Sequence, residues 1–343
     1  MRKLGNVLYV TSPDTFLGLE DEALIIKREE QPTKKLPLLN LQGIVCFNYT
    51  GVSPFLMGAC VERNIGLTFL TPNGRFLARV NGPVSGNVLL RKKQYADSED
   101  DQASLAIAKN CVFGKIYNQR KVLQRTQRDH ALLVDAVQFE QVIAEMKELM
   151  LKTREATTKA DLMAIEGNAA RRYFSLFDQM IFHQKDHFFF RERTRRPPTD
   201  PMNAILSFLY VLLANETASA LEAVGLDAYV GFFHTDRPGR KSLALDVMEE
   251  FRPVLCDRLA LTLVNRKQIN GKGFSIKESG GVLMDEETRK AVLVAWQEKK
   301  KEELMHPFIK EKMPYGLLPH IQALLLARHL REDLESYPPF LWS

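Results

Sequence analysis

No proline stands between Pro83 and Pro197. A span of that length without a ring-locked residue is expected to run as helix and turn, because nothing in it removes a backbone donor. Cysteine is scarce as well. Cys46, Cys60, Cys111 and Cys256 are scattered without a CxxC pair. That excludes a zinc ribbon or a disulfide scaffold and suits reduced core residues of a cytoplasmic protein. No uninterrupted apolar run reaches about 18 residues, so no membrane span is expected. The opening residues "MRKLGNVLYV" have neither a long apolar core nor a cleavage pattern, so no signal peptide is expected. GxxxxGK[ST], GxGxxG and HExxH are all missing, which leaves no nucleotide or dinucleotide cofactor site to propose.

What is present is a soluble, globular composition of 45% apolar and 26% charged residues over 343 positions, enough for two domains. The net charge is only +5, but the basic residues cluster in "RKK" (91–93), "KIYNQRKVLQRTQR" (115–128) and "RERTRRPP" (191–198). Local excesses of this kind attract polyanions, nucleic acid above all. A solvated helix face is the competing explanation for any single run.

Residues 1–86 read as a small β domain. "NVLYV", "TFLGLE", "ALIIKRE", "GIVCFN", "LTFLT" and "FLARV" are short β-rich runs punctuated by "SPD", "PNG" and "NGPVSG". One helix, "SPFLMGACVERN" (53–64), is expected after an N-cap serine. An antiparallel sheet or sandwich with one helix is the economical arrangement. From residue 87 to 343 the apolar spacing turns helical, including "ALLVDAVQFEQVIAEMKELMLKT" (131–153) and "MNAILSFLYVLLANETASALEAVG" (202–225). The expected fold is therefore α+β: a small N-terminal β-sheet or sandwich, then a larger all-α domain that carries the chemistry.

Two places in the helical part hold acids that need explaining. In "GFFHTDRPGRKSLALDVMEEFRP" (231–253), helical spacing puts Leu243, Ala244, Val247, Met248 and Phe251 on one side and Asp246, Glu249 and Glu250 on the other, with no lysine among them. That is either a wetted face or half of a metal site. His234 favours the second, since the "RPG" turn can fold it back over the helix. Imidazole with carboxylate suits Mn²⁺ or Mg²⁺. In "DLMAIEGNAARRYFSLF", Glu166 lies in a stripe formed by Leu162, Ala169, Ala170 and Tyr173. A glutamate there is costly unless it is paired, protonated or bound to a cation. Arg171 and Arg172 could pair with it or could face phosphates. Gly167 suggests a close approach or a break between helices.

The blocks "AIEGNAARRYF", "RRPPTDPMNAILSFLYVLL" and "GFFHTDRPGRKSLALDVMEEFRP" together resemble the CRISPR adaptation integrases, the universal CRISPR-associated endonucleases that insert spacers. The resemblance covers the whole chain, and "YPPFLW" is similar to the form found in type I-C systems. It implies one divalent metal, Mg²⁺ or Mn²⁺, held by Glu166, His234 and Glu249, which would also be the catalytic residues. Many members carry aspartate where this chain has Glu249, so Asp246 and Glu249 both stay candidates for the third ligand. With Glu249 in that place, Asp246 would stand behind it or ligate through water. The resemblance further implies a homodimer formed through the β domains and a small ferredoxin-like adaptation subunit as partner. The substrates would be double-stranded DNA, prespacer and CRISPR repeat, joined by 3′-hydroxyl attack on a phosphodiester. Candidate DNA contacts are Arg171, Arg172, Arg191, Arg193, Arg195, Arg196, Lys241 and Arg252. The alternative is a non-catalytic basic helical module that holds branched nucleic acid, but it leaves Glu166 unexplained. A small-nucleotide phosphohydrolase would need more ligands or a glycine loop.

Overall fold

The computed structural model describes residues 6–47, 50–72, 76–82 and 88–343. The chain divides into two compact units, 1–86 and 87–343. Parts of the expected "PNG" and "NGPVSG" turns lie outside the described residues.

The first unit holds two four-stranded sheets. In one, β1 (Asn6–Val10), β5 (Leu41–Phe47), β7 (Gly66–Leu70) and β8 (Phe76–Val80) lie side by side in that order. In the other the order is β4 (Gln31–Pro37), β3 (Ala23–Arg28), β2 (Phe16–Glu20) and β6 (Gly51–Val52). The sheets are mixed rather than antiparallel: β1 pairs parallel with β5, β5 with β7, and β2 with β6. Parallel pairing needs a crossover, and α1 (Pro54–Glu62) lies in the connection from β5 to β7. Ser53 caps α1 by accepting from Leu56 N–H, as its place before Pro54 implies. Leu17, Leu24, Ile44, Cys46, Leu56, Cys60 and Leu67 form the core of this unit. β4 escaped the sequence reading because "QPTKKLP" carries two prolines and two lysines. Those residues suit an edge strand, where unpaired backbone must be made unattractive to other strands.

The second unit is helical: α2 (Val88–Glu99), α3 (Asp101–Asp129), α4 (Ala136–Glu155), α5 (Lys159–Ser175), α6 (Pro201–Ala223), α7 (Ser242–Met248), α8 (Arg258–Asn265), α9 (Glu286–Lys301) and α10 (Leu318–Leu330). Two short hairpins interrupt it, β9 (Phe274–Ile276) with β10 (Val282–Met284) and β11 (Glu303–Met305) with β12 (Lys312–Pro314), so it is not purely α. α4 starts later than the apolar spacing suggested, because the Asp135 carboxylate accepts from Val137 and Gln138 N–H and fixes the first turn there. Thr158 and Asp161 form a reciprocal cap at the start of α5. α6 is long and apolar enough to cross a membrane, yet 61% of that window is buried inside the protein, where Ile205, Leu209 and Leu213 join the core. α3 packs along α4 and α5 and against a π-helical segment, Arg252–Asp257, that follows α7. All four cysteines are buried and unbridged.

Candidate metal centre

The three carboxylates that follow His234 do not form a wetted face. Asp246, Glu249 and Glu250 are 1%, 4% and 0% exposed. α7 ends at Met248 and the backbone turns, so each carboxylate leaves in its own direction toward a different partner. That divergence explains how three acids sit close in sequence without strong repulsion.

Asp246 builds the loop that carries the histidine. Its Oδ2 accepts from Phe232 N–H at 2.7 Å and Phe233 N–H at 3.0 Å; its Oδ1 accepts from His234 N–H at 2.9 Å. The same Oδ1 lies 2.6 Å from His234 Nδ1. Gly231 makes this wrap possible, since a Cβ there would stand 2.8 Å from Ser242 Cβ and 2.9 Å from Asp246 Oδ2. Helices α2 and α3 clamp the loop further: Gln94 Nε2 donates to the carbonyls of Asp227 and Val230, and Ser104 Oγ to that of Phe232. With Nδ1 engaged by Asp246, Nε2 is the ring nitrogen left to face a ligand.

Glu249 and Glu166 meet on a single cation, which is Lys115. The Lys115 ammonium lies 2.7 Å from Glu249 Oε2 and also pairs with Glu166 Oε1. Its side chain is 7% exposed, inside the run "KIYNQRKVLQRTQR" that charge alone marked as a polyanion attractor. The stripe Cys111, Lys115 and Val122 on α3 is buried throughout, the same signal that singled out Glu166 and one that would have found this lysine. Arg252 Nη1 closes on the other oxygen of Glu249 at 2.6 Å. Burial pushes the Glu249 carboxyl up, but Arg252, Lys115 and His234 outweigh it and hold the group down at about 2. Burial likewise opposes the Lys115 charge, and Glu249 and Glu166 raise it above the usual value.

α5 runs unbroken through Gly167, and a Cβ there would meet nothing within 4 Å. The glycine therefore marks neither a helix break nor close protein packing; beside Glu166 lies open space. Arg172 pairs with Glu145 at 3.0 Å rather than with Glu166.

The remaining candidate contacts divide by exposure. Arg171, Arg191, Arg195 and Arg196 are exposed. Arg193 is largely buried, donating to Thr194 O, to Asn203 Oδ1 at 2.7 Å and to Ser207 Oγ at 3.1 Å. Arg193 and Arg252 both lie over the Tyr210 ring, at 5.1 and 4.7 Å. The Tyr210 hydroxyl donates to Asp257 at 2.6 Å. Lys241 donates to Asn215 Oδ1 at 2.8 Å. Much of the 115–128 run is engaged within the chain: Asn118 and Gln119 are buried, Arg120 donates to Ile143 O, and Arg125 lies over Trp342.

Among the described residues no three His, Cys, Asp or Glu side chains are placed to hold an ion together. The donor chemistry nonetheless fits a divalent cation. Two carboxylates from distant elements already share one cationic centre, and the imidazole close enough to Glu249 to lower its pKa has its other nitrogen fixed.

A family model described as CRISPR associated protein Cas1 matches residues 8–298. A Rhodospirillum rubrum protein named CRISPR-associated endonuclease Cas1 2 is 49% identical over 346 residues, covering 100% of both chains. Among solved structures, a casposase bound to integration product superposes with a TM-score of 0.84 at 21% identity, over 98% of this chain and 94% of that one. A Cas6-RT-Cas1–Cas2 complex gives 0.80 at 24% identity, over 100% of this chain and 36% of that one. At these identities the two structures establish likeness of fold.

Proposed function

The chain belongs to the Cas1 family of CRISPR-associated proteins, and from that premise we propose that it is the metal-dependent DNA endonuclease and integrase of a type I-C-like adaptation system. The observation that carries the reading is the meeting of Glu166 and Glu249, 83 positions apart in the chain, on one cationic centre beside the fixed imidazole of His234. Glu166, His234 and Glu249 would hold Mg²⁺ or Mn²⁺, with Asp246 as the acceptor that orients the histidine. When bound, such an ion offsets the charge that builds on the phosphoryl oxygens and lowers the pKa of the attacking hydroxyl.

The chain's own residues do the positioning. Asp246 fixes which imidazole nitrogen faces the site. The open space beside Gly167 leaves room for a DNA strand at the exposed edge of Glu166. Arg171, Arg191, Arg195 and Arg196 lie exposed to grip phosphates, and phosphate contacts set register without reading sequence. In the reaction the 3′-oxygen of a captured duplex bonds to phosphorus at the repeat edge as the P–O3′ bond of the repeat strand breaks. Water in place of that hydroxyl gives hydrolysis instead. The protein works in the cytoplasm as a homodimer through its β unit, where Leu39 and Phe55 are 91% and 80% exposed, and with a small ferredoxin-like adaptation subunit. Support for that partner comes from the fold shared with the Cas1–Cas2 complex, and for DNA joining from the fold shared with the casposase.

The test is strand transfer of a short duplex into a CRISPR-bearing plasmid with the small subunit and Mn²⁺. Chelation should stop it, and Glu166→Ala or His234→Ala should slow it by about 10²-fold or more while DNA affinity stays within a few-fold. If both variants join DNA at the normal rate, the ligand assignment fails; if the wild type binds DNA but joins none, the enzyme reading fails and a non-catalytic binding module takes its place.

Asp246→Asn is a finer check on the same reading. The amide can present only one acceptor oxygen where two carboxylate oxygens now take three backbone N–H groups and Nδ1. Mn²⁺ affinity should drop by about 10–100-fold, read by calorimetric titration, because the partner that orients a metal-ligating histidine has gone.

A further inference from the structure

Gly114 and Lys115 make one device. A Cβ on Gly114 would stand 3.1 Å from Glu250 Cγ, so α3 passes close to the turn that carries Glu249 and Glu250. The next residue sends its ammonium between Glu249 and Glu166, which are two of the three ligands assigned above. A lysine as buried as this one is tolerable only when paired, and both of its partners are acids a metal would need.

The formal charges decide whether ammonium and metal can coexist. With the imidazole in the neutral form that metal ligation requires, Glu166, Glu249 and Asp246 against Lys115 and Arg252 leave one negative charge. A divalent ion entering with Lys115 in place would leave one positive charge in a site with little water. The same ion entering as Lys115 leaves brings the sum to zero, the state a poorly solvated pocket favours. Glu166 is about a fifth exposed, so the ion pair is open to solvent on that side.

We propose that Lys115 is an internal counter-cation: its ammonium holds Glu166 and Glu249 together in the metal-free protein and is displaced when a divalent ion enters, which sets a threshold concentration for metal loading. This rests on Glu166, His234 and Glu249 being the ligands. The ammonium keeps two buried carboxylates from repelling one another before loading, and the cost of expelling it makes loading weaker than the bare ligand set would give.

MnCl2 titrated into the full-length protein is the test, with no DNA present. Lys115→Met should bind Mn²⁺ about tenfold more tightly or better than the wild type, since both a competitor and a repelling charge are gone. The rise in melting temperature on adding Mn²⁺ should also be larger in the variant, because metal then neutralises carboxylates that nothing else neutralises. A second measurement needs no variant. In the wild type, acetic anhydride labelling of Lys115, read by peptide mass spectrometry, should rise several-fold at saturating Mn²⁺. Equal or weaker Mn²⁺ binding by Lys115→Met, or labelling unchanged at saturation, overturns the proposal while the ligand assignment stands. A wild type that binds no Mn²⁺, or binding unaffected by Glu166→Gln and Glu249→Gln, removes the ligand assignment and this proposal with it.

Discussion

Glu249→Ala should stop integration and lower stability together. Its carboxylate is assigned to the metal, and a bound metal supplies several kcal/mol of charge stabilisation, so strand transfer should fall by roughly 10³-fold or more. The same carboxylate balances two buried cations. Lys115 keeps Glu166 as a partner after the substitution, but Arg252 keeps the face of Tyr210 and a weak hydrogen bond to Met248 Sδ and loses the carboxylate 2.6 Å from its Nη1. Leaving a largely buried guanidinium uncompensated costs about 3 kcal/mol. Urea unfolding in EDTA measures this through tryptophan fluorescence, because both tryptophans, Trp296 and Trp342, belong to the 87–343 unit. The ion-pair account also fixes an acid limit. Glu249 has an ordinary value of 4.5 and is held at about 2 in the folded protein, so its stabilisation is complete above 4.5 and is lost as pH falls toward 2. A Glu249→Ala protein that melts with the wild type would refute the charge balance, and one that joins DNA normally would refute the ligand assignment.

The second large effect belongs to Glu250, whose role is anchorage. Its Oε1 accepts from the Tyr337 hydroxyl at 2.7 Å, and its Oε2 from Phe340 N–H at 2.6 Å and Gln322 Nε2 at 3.1 Å. Asn118 continues the fastening: its Nδ2 donates to the carbonyls of Glu250 and Phe340, and its Oδ1 accepts from Trp342 N–H. Glu250→Ala strands the Tyr337 O–H and the Phe340 N–H, while Gln322 Nε2 keeps Tyr337 Oη and Pro338 O, and should cost about 3 kcal/mol. Glu250→Gln should be tolerated, since its oxygen can take the Oε2 role and its amide can donate to the Tyr337 hydroxyl. Burial pushes the Glu250 carboxyl up to about 8, against hydrogen bonds that lower it. Below pH 4.5 the folded and unfolded chains both carry the proton. Between 4.5 and 8 the unfolded chain ionises while the folded one stays neutral, so wild-type stability declines as pH rises through that window, by on the order of 5 kcal/mol. Glu250→Gln removes the decline. Unfolding at pH 5 and pH 8 should show the variant gaining on the wild type at the higher pH; parallel behaviour of the two would mean that Glu250 is ionised in the fold.

Much of this was legible in the sequence, and the failures have physical causes. Short β-rich runs between turn residues located β1, β2, β3, β5, β7 and β8, but pairing direction is not written in composition, so β5 has parallel neighbours where an antiparallel sheet was expected. β4 hid behind the lysines and prolines that protect an edge. Glu166 betrayed itself as an acid in an apolar stripe. Lys115 sits in an equally apolar stripe, yet it was absorbed into a basic run, because charge clustering along the chain says nothing about which side of a helix each residue occupies. The divergence of Asp246, Glu249 and Glu250 depends on the turn after Met248, which helical angles extended through 252 could not show.

The fastening of residues 337–342 onto Glu250 has a consequence for synthesis. Glu166, His234 and Glu249 all leave the ribosome well before Tyr337, Phe340 and Trp342 do, and domains settle as their pieces arrive. Until that late segment is translated, the turn bearing Glu249 has no anchor on one side. The turn that carries Glu249 is therefore fastened on that side only once the last strap of the chain is threaded.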